Sequence, residues 1–243
     1  MTDGMLATVV GVGFVLGLRH ALDPDHVVAV TTLASEKTGL RRTSLVGAFW
    51  GLGHALSLAL AGGTILALRL RVPPAVGDAL EAVVGAMLVI LGAAALRRAA
   101  RVRLHAHPHA HGGQVHVHFH AHDRARAPGD AIGHHHPHPF RGGLRPFLVG
   151  LMHGVAGSAG LALLALGAAP SLAAGLTYIA MLGLGSIAGM LILSALMSLP
   201  LAYLEARYAA FHRGVQLVAG AVSVGFGLFL LAARVWSGAA SLS

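Results

Sequence analysis

Five ionisable residues crowd one apolar stretch: Arg19, His20, Asp23, Asp25 and His26 sit inside GVGFVLGLRHALDPDHVVAVTTLA, residues 11–34. At membrane depth each charge costs about 2.5–3.5 kcal/mol on insertion scales, so such a cluster needs a compensating partner. A bound dication supplies one. Imidazole mixed with carboxylate suits Ni²⁺, Co²⁺ or Zn²⁺, whereas Ca²⁺ and Mg²⁺ prefer oxygen alone. The chain has no cysteine, which excludes thiolate metal sites, disulfides and dithiol redox chemistry. Two further histidines stand in apolar surroundings, His54 in FWGLGHALS and His153 in GLMHGVAGS. The candidate metal residues are therefore His20, Asp23, Asp25, His26, His54 and His153. Arg19 carries a fixed charge; it balances a carboxylate or lines a vestibule rather than binding the ion.

Geometry at this stretch turns on Pro24. Proline offers no N–H to the carbonyl of His20, and its ring clashes there, so the helix should kink or unwind between His20 and Pro24. On an unbroken helix His20 and His26 would point about 120° apart. A break lets both turn toward one ion and leaves freed carbonyls and side chains facing a cavity, where irregular backbone is tolerated in a bilayer.

The rest of the chain must hold that stretch in lipid. Of 243 residues 56% are hydrophobic and 11% charged, against about 25% charged in soluble domains. At roughly 20 apolar residues per span, six spans are expected, at 4–34, 44–70, 76–96, 146–169, 172–199 and 214–236. The N-terminus enters an apolar run at once, without a basic leader, so no removable signal peptide is expected. The formal charge of +8 lies mainly in the loops, which points to membrane orientation rather than to nucleic acid.

The two halves of the sequence match. VLGLRHAL, ending at Leu22, aligns with LVGLMHGV, ending at Val155; GLGHALS, from Gly51, aligns with GLGSIAG, from Gly183; EAVVGAMLVILG, from Glu81, aligns with QLVAGAVSVGFG, from Gln216. The offsets of 133, 132 and 135 residues are nearly constant. Three spans per half is an odd number, so the second half must enter from the opposite side, as in inverted-repeat transporters with a site near the midplane. The expected fold is an all-α integral membrane protein of six transmembrane helices in two inverted three-helix repeats, with the first helix broken at Pro24. Its parts are a first repeat at 1–96, a His-rich loop at 97–145 and a second repeat at 146–243. Basic residues such as Arg41, Arg42, Arg97, Arg98 and Arg145 mark one side, against Arg69, Arg71 and Arg234 on the other. The positive-inside rule then places the His-rich loop in the cytoplasm and both termini outside, in a multi-pass cell (inner) membrane protein.

The segment H-A-L-D-P-D-H resembles the signature of the nickel/cobalt transporter family, and GLGHALS resembles that family's second histidine motif. HGVAGSAG in the second half is similar to the shorter six-span relatives, the urease-accessory-like nickel permeases. The resemblance implies that His20, Asp25, His26 and His54 form the metal site and that Ni²⁺ or Co²⁺ is the transported substrate, with no organic cofactor. The chain departs from the family at Pro24, where Ala is usual. It also lacks carboxylates opposite Asp23 and Asp25, having Ala156 and Ser158, so one site is expected rather than two.

Two functions follow. A secondary transporter would move the ion through the broken helix, with histidine protonation assisting release. A membrane-bound metallochaperone would instead deliver nickel to enzyme-maturation proteins through the His-rich loop. That loop has twelve histidines in residues 105–138, a composition that binds metals, and is expected to be disordered or loosely ordered when metal-free. An anion exporter is disfavoured by the carboxylates, and an intramembrane protease by the lack of H-E-x-x-H. Ser57, Ser158 and Ser186 read as interhelical glue, Met181, Met190 and Met197 as filler, and Glu36 and Glu81 as solvated charges near the interface.

Overall fold

Proline 24 sets the first feature of the architecture. Helix α1 (Asp3–His20) stops four residues before it, and α2 (Pro24–Ala34) starts on it. Proline is well placed there, because the first helical position has no partner for an N–H and wants the φ that the ring fixes. Asp23 precedes it in extended conformation (φ −60°, ψ 143°). The two helices meet at a 59° bend and together are apolar enough for a broken span or a re-entrant loop. The expected free carbonyls are not all free: Asp23 N–H closes on the His20 carbonyl at 3.0 Å and Leu22 N–H on that of Arg19 at 2.9 Å. Tightened i→i+3 turns replace the bonds that Pro24 cannot make.

The computed structural model describes residues 3–36, 39–70, 72–111, 114–123, 143–156, 171–205 and 209–240. After α2 come α3 (Leu40–Leu68), α4 (Pro74–Arg101), strands β1 (Val102–His111) and β2 (Gln114–Asp123), α5 at 143–156, α6 (Leu172–Glu205) and α7 (Ala209–Ala240). Among the described residues four helical segments qualify singly as membrane spans: Leu40–Leu68, Ala75–Arg101, Leu172–Leu199 and Arg213–Arg234. With the bent pair the number is up to five. The expected span at 146–169 lies partly outside the described residues. Burial follows the logic of a lipid solvent. Ile90, Val218 and Phe229 are more than 60% exposed, while His26, His54, His153, Ser186 and Ser223 are inside. Apolar surface faces out, and the polar groups are held within the bundle.

The helices approach closely because glycine lines the contacts. A Cβ on Gly17 of α1 would stand 2.2 Å from the Leu182 carbonyl oxygen, and one on Gly185 of α6 would stand 2.1 Å from that of Phe14. The contact between α3 and α5 is built alike: a Cβ added to Gly150 would collide with the Trp50 carbonyl oxygen, and one added to Gly53 with that of Phe147. Helices α4 and α7 interlock reciprocally, with Gly92 against Gly220 and Gly85 against Gly227. Small residues at these points let backbones touch, which is where packing energy comes from when lipid tails are as apolar as leucine.

Two expectations are corrected. Glu36 is no solvated charge: its side chain is 7% exposed and accepts hydrogen bonds from Arg98 at the end of α4 and Arg145 near the start of α5. Glu81 is half-buried and pairs with Arg234, which also holds Asp78 at 2.7 Å. At the membrane boundary a carboxylate loses part of its hydration and takes guanidinium donors instead. The His-rich segment, expected to be loosely ordered, forms an antiparallel ribbon in its described part, with His105 opposite His120, His107 opposite His118 and His109 opposite His116. Alternating His-x-His is a period-2 pattern, which a strand accommodates and a helix does not.

Replacing Gly150 by alanine should lower stability by about 1–3 kcal/mol, since the backbone it meets cannot yield. Gly225→Ala, where a Cβ meets nothing within 4 Å, should leave stability unchanged. Thermal unfolding of the two variants in the same detergent checks the pair.

Candidate metal centre

The last turn of α1 presents His20, and the first turn of α2 presents Asp25 and His26. The break between them is what brings the two rings together, with centroids 4.5 Å apart. His54 arrives from the midpoint of α3, fourteen residues from either end, which is about 21 Å of helix each way at 1.5 Å per residue. Its ring lies 5.2 Å from His20 and 5.0 Å from His26. His153 comes from α5, with its ring 4.3 Å from His26 and 6.0 Å from His54. Four imidazoles from four helices thus meet near the middle of the bundle.

Each carboxylate serves a ring. His20 Nδ1 lies 2.7 Å from Asp23 Oδ2, which the i,i+3 spacing across the break allows. His26 Nδ1 lies 3.1 Å from Asp25 Oδ1, and the His26 backbone N–H donates to that same oxygen at 3.0 Å. The other oxygen, Asp25 Oδ2, lies 2.9 Å from His153 Nε2. Asp25 therefore bridges two histidines, on the first turn of α2, where the helix dipole favours a negative charge. A carboxylate behind a ring fixes its tautomer and orientation and leaves the far nitrogen as a lone-pair donor, the usual arrangement behind metal-ligating histidine.

The far nitrogens have no protein partner. His20 Nε2, His26 Nε2, both nitrogens of His54 and His153 Nδ1 are buried without a hydrogen bond. Buried polar atoms are normally satisfied, so five such atoms in one place need an explanation. Two groups of three can hold a metal ion: His20 with His26 and His54, and Asp25 with His26 and His153. In each group the ligand atoms lie within 4.8 Å of one another. Ligand atoms about 2.0–2.1 Å from one first-row dication stand closer than that, so small rotations of the rings would complete the shell.

The structure brings together His20, Asp25, His26, His54 and His153. Asp23, also expected as a ligand, belongs to neither group; it is half-exposed and stands behind His20. His20 and His153, at corresponding places in the internal sequence match, fall in different groups joined by His26. Sequence reasoning passed over Trp50, a fully buried ring 5.4 Å from His26 and 5.6 Å from His153. The signal was present, since Trp50 stands four residues before His54 on the same face of α3. Ser186 donates across to the Gly17 carbonyl of α1 at 3.3 Å, as interhelical glue would, whereas Ser57 donates to the His54 carbonyl of its own helix at 2.9 Å. Ser158 lies outside the described residues.

No family model matches the chain, and no solved structure matches it. A relative is the urease accessory protein UreH of Bacillus sp. (strain TB-90), 32% identical over 228 residues that cover 92% of this chain and 90% of the relative. On that identity and extent the chain belongs to the family of the urease accessory protein UreH.

Proposed function

We propose that this protein is a membrane permease for Ni²⁺, with Co²⁺ as the alternative cargo, and that the ion passes through the histidine cluster at the broken helix. The carrying observation is the set of buried, unpartnered nitrogens on His20, His26 and His54, converging in the middle of a membrane-spanning bundle. An imidazole set of this kind replaces part of the hydration shell of a borderline dication and is a poor host for Mg²⁺ or Ca²⁺. Asp23 and Asp25 orient the rings and offset the ion's charge. The relative's name supports nickel as the cargo, because urease is a nickel enzyme and its accessory proteins serve its assembly.

Movement across the membrane is attributed to two inverted three-helix repeats. Support comes from the matched glycine contacts: Gly17 and Gly150, and Gly185 and Gly53, occupy corresponding places in the internal sequence match and meet corresponding carbonyls. In this reading α1–α2 and α5 rock against the rest around the site. The bias of basic residues among the loops supports a reading with the His-rich segment in the cytoplasm and both termini outside.

A second reading is favoured by the ribbon of facing histidines and by the word "accessory" in the relative's name. There the protein hands nickel from the His-rich segment to urease-maturation proteins, without net transport. Proteoliposomes loaded with a chelating dye separate the two. Removal of 105–138 should leave substantial Ni²⁺ flux in a permease; complete loss of function on that deletion would favour delivery. The double variant His20→Ala/His26→Ala should lose transport at least ~100-fold. Uptake at the wild-type rate by that variant would sink the permease reading. Asp23→Asn should weaken Ni²⁺ binding about 10–100-fold, the usual cost of losing a partner behind a ligand. Ni²⁺-dependent quenching of Trp50 fluorescence, in a Trp236→Phe background, measures it.

A further inference from the structure

Two groups of three ligands share a single member, His26. The first, with His20 and His54, is drawn from α1, α2 and α3. The second, with Asp25 and His153, is drawn from α2 and α5, and so reaches the other half of the chain. We infer that they are successive stations of one ion, which passes from the three-imidazole group to the Asp25–His26–His153 group while remaining bound to His26. The inference rests on the permease reading and adds a path within it.

The geometry supplies the reasons. His26 has one free nitrogen, Nε2, because Nδ1 is engaged with Asp25. One lone pair binds one ion, so the two stations are alternatives rather than simultaneous sites. The ring of His26 is 4.5 Å from His20 and 5.0 Å from His54 on one side, and 4.3 Å from His153 on the other. A ligand common to both shells lets the ion change partners without being released as a bare dication, which would be costly in a low-dielectric interior.

The stations differ in readiness. In the first, every ring offers a nitrogen with no hydrogen bond. In the second, Asp25 is already engaged, with His153 Nε2 at 2.9 Å and His26 Nδ1 at 3.1 Å. The first station is open to an ion; the second is closed on itself and opens when the Asp25–His153 contact parts. The charges differ as well. Three neutral imidazoles leave an arriving dication its full charge, whereas the second station brings Asp25 into the shell and removes one unit. Nitrogen-rich recognition thus comes first, and charge compensation second. His153 acts as the acceptor of the ion from the other half of the bundle, and its loss should strand the ion at the first station.

The experiment uses the full chain with the twelve histidines of 105–138 changed to glutamine, so that bound Co²⁺ reports on the membrane site alone. His153→Ala should still bind one Co²⁺ per chain in an all-imidazole shell, read by X-ray absorption. Its affinity should stay within about 10-fold of the parent, while transport into vesicles falls at least ~100-fold; these are losses of the size that metal-site substitutions produce. His54→Ala should bind Co²⁺ with carboxylate oxygen in the shell. Unimpaired transport by His153→Ala, or two Co²⁺ ions held at once by the parent chain, would overturn the relay and leave the permease reading standing. A parent chain that neither binds nor moves Co²⁺ or Ni²⁺ would bring down both. His153→Gln, which keeps the volume and a hydrogen-bonding group, guards against misfolding. It should elute and unfold like the parent yet share the transport defect; recovery of transport in this variant would refute a ligand role.

Discussion

A proline-enforced break, placed where imidazoles are buried, is the constraint from which the rest of the site follows. In a continuous helix the rings of His20 and His26 would diverge by about 120°. With α1 ending at His20 and α2 starting at Pro24, they meet edge to face. The break also creates two carboxylate positions at once. Asp23 lies in the turn that replaces the missing helical bonds, and Asp25 lies in the first turn of the new helix, each within reach of a ring. Broken helices in membranes are tolerated where the freed groups find partners, and here backbone turns and histidine–carboxylate pairs provide them.

Glycine makes the break usable. Bare backbone at Gly17, Gly53, Gly150 and Gly185 allows α1, α3, α5 and α6 to pack at distances that side chains would forbid. Only at that spacing do the rings of His54 and His153, from separate helices, come within 4.3–5.2 Å of the rings on the broken segment. The convergence of the imidazoles and the helix packing are thus one design problem. A methyl group added at these contacts would act on the site by moving its walls.

Much of this was legible in the residues. Hydropathy marked the helices, Pro24 marked the break, and the rarity of histidine in apolar runs marked His54 and His153. Other features were not legible, for physical reasons. Which histidines group together depends on interhelical distances, so the assignment of His20 and His153 to different groups could not be read from their matching positions. That Asp25 serves two rings, one of them from the second half of the chain, could not be read from the sequence either. Glu36 looked solvated because its neighbours in sequence include Lys37 and a turn; its partners, Arg98 and Arg145, lie 62 and 109 residues away. The ribbon was missed because composition, rather than period, was taken as the guide to the histidine segment.

The two arginines that clasp Glu36 flank the histidine segment, Arg98 on one side and Arg145 on the other. One carboxylate therefore gathers both stems of a long excursion and pins them to the far end of α2. From there the histidine cluster is the length of that 11-residue helix away, about 16 Å. However the segment folds between them, its two ends leave and rejoin the bundle at one point, fixed by a salt bridge remote from the histidine cluster.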